Sequence, residues 1–111
     1  MLIDIIAGNY SDFLKIAPII NVVKQEQRID SNIGFRLIYT GAQDEITNLG
    51  DFLPELGIPT PNVFLECTGK SDNEQTASIL VRYGKVLSNN PPDICLVTGS
   101  TNAAMSCSLA A

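Results

Sequence analysis

The sequence contains no histidine, no cluster of basic residues and no long apolar run. Without histidine, which is the usual general base, proton transfer would have to rest on carboxylates, lysine, tyrosine or cysteine. Seven Lys and Arg against twelve Asp and Glu give a net charge of −5, which argues against a nucleic-acid partner. The apolar runs are shorter than the roughly 20 residues that span a bilayer, and the N-terminus lacks the pattern of a signal peptide. We therefore expect a cytoplasmic protein with neither a membrane nor a nucleic-acid partner.

Cysteine is also scarce, with three residues, Cys67, Cys95 and Cys107, at wide spacings. An odd number at such spacings gives little support to a disulfide framework or a zinc site. A free cysteine behaves as a small apolar residue, so the sequence predicts buried, reduced thiols. We predict no metal site, and nothing in the sequence indicates a cofactor.

Strand and helix patterns alternate along the chain. Short apolar runs that end at glycine or proline are each followed by a segment with the spacing of a helix. The sequence predicts strands at 2–7, 33–40, 62–67 and 93–98, and helices at 11–29, 48–56, from the capping box 71–74 up to 89–92, and at 101–111. Because the strands are nearly continuous apolar runs, this order predicts a single α/β domain in which helices cover both faces of a parallel sheet.

Asp4 is the one charged residue in the first predicted strand. A carboxylate inside a central parallel strand costs free energy unless it is paired. Arg36 lies at a comparable distance from the end of the second strand, so we predict a cross-strand ion pair, or else an edge position that keeps Asp4 hydrated. A catalytic role is less favoured, because Asp4 is far from the carboxyl end of its strand.

The loops that follow the strands are the candidate ligand-binding segments, because open parallel sheets bind ligands at the carboxyl ends of their strands. They are residues 8–12, 41–45, 68–71 and 99–102. Glycines there allow sharp turns, and the helix N-termini that follow offer free N–H groups to an anion. Lys15 would lie one turn into the first helix, where it either reaches a ligand phosphate or carboxylate or is an ordinary solvated lysine.

Several short motifs together resemble one enzyme family, the non-hydrolysing UDP-N-acetylglucosamine 2-epimerases. Gly8 is followed seven residues later by Lys-Ile-Ala-Pro, where the family has Gly-Thr-Arg-Pro-Glu, two apolar residues, then Lys-Met-Ala-Pro. Thr40-Gly41 resembles the family's Thr-Gly-Gln-His, residues 56–58 its Phe-Gly-Ile, and residues 92–99 its Pro-Asp-x-Val-x-Val-x-Gly strand. The order and spacing of these motifs cover essentially all of the chain.

The resemblance implies a three-layer, Rossmann-like α/β/α fold with strand order 3-2-1-4, similar to the N-terminal lobe of GT-B-type two-domain enzymes. It implies an isomerase that interconverts UDP-N-acetylglucosamine and its 2-epimer by eliminating and re-adding UDP. Ser100 stands at the position of the family's acid/base aspartate and is the candidate catalytic position. The candidate substrate-binding residues are Gly8, Tyr10, Asp12, Lys15, Gln43 and Thr101.

Some of these positions differ from the family's pattern. Tyr10 and Ser11 replace the family's arginine and proline, and Asp12 replaces its glutamate with a side chain one carbon shorter. Ala42-Gln43 occupies the position of the family's Gln-His. Ser100 can donate a hydrogen bond, but without an activating partner it is not a base near neutral pH. The alternative interpretation is therefore a non-catalytic sugar-nucleotide-binding or assembly module. A flavodoxin-like or receiver-type domain is a further alternative, although the acidic strand end or flavin loop it needs is missing.

The length implies that residues 1–111 are the N-terminal portion of a Rossmann-like domain. The family's second, nucleotide-binding domain has no counterpart in this sequence, and the last helix has no capping residue, so we expect it to continue. Since the family's sugar reacts between two lobes, we expect no turnover by this chain alone. The resemblance also implies a homo-oligomer, a dimer in the family, and we expect association or marginal stability from an uncovered sheet edge.

Overall fold

The structure is a computed structural model that describes residues 1–98 and 102–111. Strand and helix alternate along it, and the first helix contains Pro18 in its interior. The strands are β1 (Leu2–Ala7), β2 (Gly34–Tyr39), β3 (Val63–Phe64) and β4 (Ile94–Leu96). The helices are α1 (Tyr10–Ile29), α2 (Gln43–Thr47), α3 (Phe52–Glu55), α4 (Asp72–Asn89) and α5 (Asn102–Ala110).

The four strands form one parallel sheet in the order β3-β2-β1-β4. In the register of β1 with β2, Leu2 lies opposite Gly34, and in the register of β1 with β4, Ile3 lies opposite Ile94. The predicted three-layer α/β fold and its strand order are therefore confirmed. The direction in which the chain adds strands reverses at β1, because β2 and β3 lie on one side of it and β4 lies on the other.

Each face of the sheet carries its own apolar core. One core packs α1 and the α2–α3 region against alternate side chains of β1 and β2, including Ile5 and Leu37. The other packs α4 and α5 against the opposite side chains, including Ile6 and Ile38. Side chains alternate between the faces of a strand, so two adjacent residues of β1 serve two different cores.

The predicted cross-strand pair between Asp4 and Arg36 is confirmed. Asp4 is fully buried, and both of its carboxylate oxygens accept hydrogen bonds from the Arg36 guanidinium, at 2.7 and 2.8 Å. The Tyr83 hydroxyl of α4 donates a third bond, at 2.7 Å to Oδ2. The hydrogen bond to Asp4 is the largest cause that raises the pKa of Arg36. These three hydrogen bonds offset the free-energy cost of burying the Asp4 carboxylate in a central strand.

The helix predicted over 48–56 is shorter in the structure, where α3 covers Phe52–Glu55, and the helix α2, which was not predicted, precedes it at Gln43–Thr47. Gly50 lies between them with φ of +62°, a left-handed conformation that ends a right-handed helix and that glycine adopts without a Cβ clash. Gly57, which follows α3, also has a positive φ, of 74°. The helix start at Ser71 is as predicted, since its hydroxyl accepts the Glu74 N–H at 3.2 Å.

Two predicted strands are longer than those observed. β3 covers only Val63–Phe64 of the predicted 62–67, and Glu66 beyond it has φ of 54°, which interrupts extended backbone. β4 covers Ile94–Leu96 of the predicted 93–98. The last helix begins at Asn102, while residue 101, where the prediction started it, lies outside the described residues.

The three cysteines are free, as predicted. Only Cys107 is buried, whereas Cys67 and Cys95 are half-buried, so the prediction of burial is wrong for these two. Over the residues described, none of the helices combines the length and the apolar character that a membrane crossing needs.

Candidate functional site

The loop from Gly8 to Asp12 joins β1 to α1 and is held by its own side chains. Asn9 caps the helix, because its Oδ1 accepts the Asp12 N–H at 3.0 Å and the Ser11 hydroxyl at 2.8 Å. Asp12 joins the end of the loop to its start, since its Oδ2 accepts the Gly8 N–H at 2.8 Å. The loop is thus fixed before any ligand arrives, which removes part of the ordering cost of binding.

Asp12 is 2% exposed, and among the described residues only one of its two oxygens has a hydrogen-bond partner. Oδ2 accepts the Gly8 N–H, whereas Oδ1 is buried and accepts no hydrogen bond from the residues that the structure describes. The Thr98 hydroxyl, just beyond β4, is a second buried polar group without a described partner. Buried polar groups without partners are rare in proteins and call for an explanation, of which a catalytic or binding role is one.

Gly8 allows a close approach between this loop and α5. A Cβ atom at residue 8 would lie 2.6 Å from Ala103 Cβ, closer than two carbon atoms can pack. The Thr40 hydroxyl oxygen and Asp12 Oδ2 lie 3.6 and 3.5 Å from the same point. Glycine therefore lets the ends of β1 and β2 and the first turn of α5 meet. The predicted importance of Gly8 thus has a steric basis, although a role in ligand binding remains a prediction.

Lys15 lies on the exposed side of α1, one turn after Asp12. Within the described part of the chain, its ammonium group makes no ion pair or hydrogen bond, unlike Lys24, which donates to the Gly57 carbonyl at 3.0 Å. The Lys15 side chain is therefore able to turn towards a ligand, and its role in substrate binding stays a prediction.

A pocket of about 310 Å³ opens between the ends of β1 and β2 and the start of α4. Its rim is polar: the Tyr39 hydroxyl donates to Glu45 Oε2 at 2.6 Å, and burial raises the pKa of the Cys67 thiol above its usual value. A neutral thiol is a weak nucleophile, so the pocket is better suited to binding than to covalent chemistry. The lining residues are Gly8, Tyr39, Thr40, Gly41, Glu45, Cys67, Gln75, Ile79 and Ala103.

The predicted site residues are only partly brought together. Gly8 lines the pocket and Asp12 is buried beneath the adjoining loop, whereas Gln43 begins α2 and lines a separate groove with Asp44 and Glu66. Ser100 and Thr101 lie outside the described residues, and the same holds for the Tyr10 side chain. Glu45 and Cys67 were not predicted individually. Glu45 falls in the predicted loop 41–45, and the position of Cys67 just after the third strand is the signal that could have found it.

The comparisons with known proteins identify the family. Residues 25–111 match the family model described as UDP-N-acetylglucosamine 2-epimerase. The chain belongs to this family. It is 30% identical, over its whole length, to the UDP-N-acetylglucosamine 2-epimerase of Methanocaldococcus jannaschii, and 34% identical over 105 residues to a homolog of this enzyme from Methanococcus maripaludis.

Solved structures of family members have the same fold. The structure of the M. jannaschii UDP-GlcNAc 2-epimerase superposes with a TM-score of 0.82 at 31% identity, over 99% of this chain. The Neisseria meningitidis enzyme, solved bound to UDP-GlcNAc, gives 0.83 at 24% identity, which shows the fold alone. The resemblance to the N-terminal lobe of GT-B-type enzymes is confirmed. The chain spans less than a third of the curated relatives, 29% and 28% of the two named above.

Proposed function

We propose that this chain is the N-terminal portion of a Rossmann-like lobe that binds a UDP-sugar at the carboxyl edge of its sheet. The lobe would serve a UDP-N-acetylglucosamine 2-epimerase whose catalysis is weakened by serine at position 100. A second, nucleotide-binding domain would complete the cleft, so the chain alone would not turn over a sugar nucleotide. Relatives solved with UDP-GlcNAc, and with UDP-GlcNAc and UDP, support this choice of ligand.

One observation carries the proposal: the Gly8 loop lies where the strand order reverses. Open α/β sheets bind ligands in the crevice outside the carboxyl ends of the strands at such a switch point. Two buried groups near this edge, Asp12 Oδ1 and the Thr98 hydroxyl, have no hydrogen-bond partner among the described residues. Hydroxyl-rich ligands such as sugars can supply both donors and acceptors to these groups.

The test uses a chimera in which this chain replaces the aligned N-terminal part of the M. jannaschii relative. The chimera is assayed for interconversion of UDP-N-acetylglucosamine and its 2-epimer, and its affinity for UDP-N-acetylglucosamine is measured by calorimetry. A general acid/base is typically worth about 10²–10⁴-fold in rate. Ser100→Asp should therefore raise kcat at least about 100-fold while leaving affinity nearly unchanged.

The matched control is Ser88→Asp, which adds the same charge at an exposed position of α4 and should leave the rate unchanged. A folded chimera that does not bind UDP-N-acetylglucosamine would refute the proposed function. A chimera as active as the relative without substitution would support the enzyme class and contradict the loss of a role at position 100.

The second candidate is a non-catalytic sugar-nucleotide-binding or assembly module, and serine at position 100 favours it. It predicts that the chimera binds UDP-N-acetylglucosamine but stays inactive when aspartate is restored. Titration of the isolated chain with UDP-N-acetylglucosamine, followed by NMR, adds a further test. Both candidates predict weak binding, and Lys15→Ala should weaken it more than Lys85→Ala, because Lys85 is near the far end of α4.

Two properties of the whole protein follow from the resemblance and remain proposals. We expect a homo-oligomer, a dimer as in the family, and a cytoplasmic location. Sedimentation velocity on the chimera and fractionation of cells that produce it would test them.

A further inference from the structure

Glu45 places a fixed negative charge at the pocket between the ends of β1 and β2 and the start of α4. It is the only charged residue among the described residues that line this pocket. Its Oε2 accepts the hydroxyl of Tyr39 at 2.6 Å, and Tyr39 is itself 5% exposed. Gly41 makes room for the carboxylate, since a Cβ atom there would overlap Oε2. The charge is therefore in position before any ligand binds.

The Thr40 hydroxyl is a second polar group of the same pocket. Thr40 lines the pocket and is only 8% exposed, yet its hydroxyl forms no hydrogen bond with any residue that the structure describes. The hydroxyl of so deeply buried a side chain is normally bonded. A free hydroxyl at the wall of a cavity is available to a bound molecule, so it points to a ligand independently of the charge on Glu45.

The polar side chains of the lining are rich in hydrogen-bond acceptors and poor in donors. Gln75 uses its Nε2 to bond the Gly69 carbonyl at 3.3 Å, which leaves its Oε1 as an acceptor. Glu45 has acceptor oxygens only, and the Thr40 hydroxyl accepts as well as donates. A primary ammonium group carries three donors and no acceptor, so it complements this lining, whereas a phosphate or carboxylate group does not.

The electrostatic surroundings also favour a cation. The neighbouring groove is lined by Asp44 and Glu66, and neither cavity has a lysine or arginine among its described lining residues. Arg82 interacts electrostatically with Cys67, but its guanidinium donates to the Leu65 carbonyl at 2.9 Å and lines a different groove. Cavities bordered by charges of one sign attract ligands of the opposite sign.

We propose that this pocket binds a small organic cation, a primary ammonium compound with neighbouring hydroxyl groups. The ammonium group pairs with Glu45, and the hydroxyl groups bond Thr40 and Gln75. The pocket lies on the β2 side of Gly8, whereas the switch point proposed for the UDP-sugar lies between β1 and β4. The cation site therefore does not rest on the proposed function, and its test requires no sugar nucleotide.

The test titrates this chain with serinol, in which an ammonium group replaces the central hydroxyl of glycerol, and follows the backbone amides of Gly41 and Gln75 by NMR. Glycerol is the matched neutral ligand, and inorganic phosphate is the anionic one. Serinol should bind at least about tenfold more tightly than glycerol, because hydrogen bonds to charged groups are the stronger kind. Equal affinities, no saturable shift with serinol, or tighter binding of phosphate at the same amides would overturn the proposal.

A charge variant tests the role of Glu45. Glu45→Gln keeps the size of the side chain and should weaken serinol binding at least about tenfold while changing glycerol binding little. Glu55→Gln is the matched control, since Glu55 is exposed on α3 and is not among the described lining residues. Unchanged serinol affinity in Glu45→Gln, or an equal loss in Glu55→Gln, would contradict the proposal.

A second variant tests the Thr40 hydroxyl. Thr40→Val should weaken serinol and glycerol by similar factors, because it removes a hydrogen bond and no charge. It should also raise the thermal midpoint of the ligand-free chain, since a buried hydroxyl without a partner costs free energy. A lower midpoint would show that the hydroxyl is bonded within the fold, and would remove it from the proposed site.

Discussion

Two buried aspartates at opposite ends of the sheet differ in how completely they are bonded. Asp4 is at the amino-terminal end, where Arg36 and Tyr83 supply three hydrogen bonds to its two oxygens. Asp12 is at the carboxyl end, where one oxygen accepts the Gly8 N–H and the other has no described donor. The first arrangement satisfies the charge within the fold, whereas the second leaves an acceptor unused.

The two ends of the sheet differ in what their polar groups contact. At the amino-terminal end, the Arg36 guanidinium pairs with Asp4 and also donates to the Asn90 carbonyl at 3.0 Å. That bond ties the end of α4 to β2. The carboxyl end is where an α/β sheet binds ligands, and groups left unsatisfied there lower stability in exchange for function. Four substitutions test whether the two ends of the sheet differ in this way.

The largest effect should come from Asp4→Asn, which removes the negative partner of Arg36. Breaking a buried ion pair by neutralising one member costs about 3–5 kcal/mol. Because the Arg36 side chain is 13% exposed and keeps its bond to the Asn90 carbonyl, we expect a loss towards the lower end of that range. Urea unfolding followed by circular dichroism measures the loss. Asp51→Asn is the control, because Asp51 is exposed and its side chain caps no helix. A loss below about 1 kcal/mol would show that the pair contributes little.

The next effect concerns glycine at the carboxyl end. Gly8→Ala should cost about 1–3 kcal/mol, because the added methyl group would overlap Ala103 and push α5 away from the loop. Gly84→Ala, inside α4 with no atom within 4 Å of the added carbon, should instead stabilise by about 0.5–1 kcal/mol. Urea midpoints of the two variants should shift in opposite directions. Shifts in the same direction would contradict the close approach at Gly8.

The third prediction concerns alkaline pH at the amino-terminal end. Burial raises the pKa of the Cys95 thiol, whose Sγ lies 3.2 Å from the Tyr83 hydroxyl oxygen. The unfolded thiol ionises near about pH 8.5, so above that pH the unfolded state binds fewer protons and stability falls. The contribution of the neutral Cys95 thiol to stability is complete below the pKa that the thiol has in the unfolded state. It is lost as pH rises towards the higher pKa of the folded state.

Cys95→Ala should therefore flatten the alkaline loss of stability, by up to about 1.4 kcal/mol per pH unit. Urea unfolding between pH 8 and 10, in the presence of a reductant, measures the slope. Ser88→Ala, at an exposed position, is the control and should leave the slope unchanged. A Cys95→Ala slope equal to that of the wild-type chain would show that the thiol ionises alike in both states.

The smallest effect is expected for Asp12→Asn. The asparagine oxygen can still accept the Gly8 N–H, and the charge that is lost had no described partner on its other oxygen. The cost should stay below about 1 kcal/mol, the usual contribution of an acidic residue in the first turn of a helix. A cost close to that of Asp4→Asn, in the same urea experiment, would remove the contrast between the two ends.

Much of the fold could be predicted, because the apolar pattern and the glycines act locally. The strand order came from the family resemblance, and the Asp4–Arg36 pair came from the rule that a buried charge needs a partner. The hydrogen bond from Tyr83 to Asp4 was not predicted, because a tyrosine on the apolar face of a helix is usually part of the hydrophobic core. Where its hydroxyl points depends on how α4 docks on the sheet, which no local pattern contains.

The site was less predictable, for a similar reason. Loop positions follow from strand ends, but the close approach of Gly8 to Ala103 joins residues 95 positions apart in the chain, which no local pattern predicts. The division of 43–57 into two short helices depends on the left-handed conformation of Gly50. Single-residue conformations of this kind are set by the packing around them, whereas the sequence pattern indicates only that a glycine is present.

The central position of β1 has a consequence for biosynthesis. β1 leaves the ribosome before its neighbours on the two sides, β2 and β4, are made. Asp4 can meet Arg36 early, but Cys95 and the rest of β4 follow roughly 60 residues later, which at about 5–20 residues per second is about 3–12 seconds. During that interval the nascent chain has an open edge along β1, and we expect chaperone contacts to concentrate there.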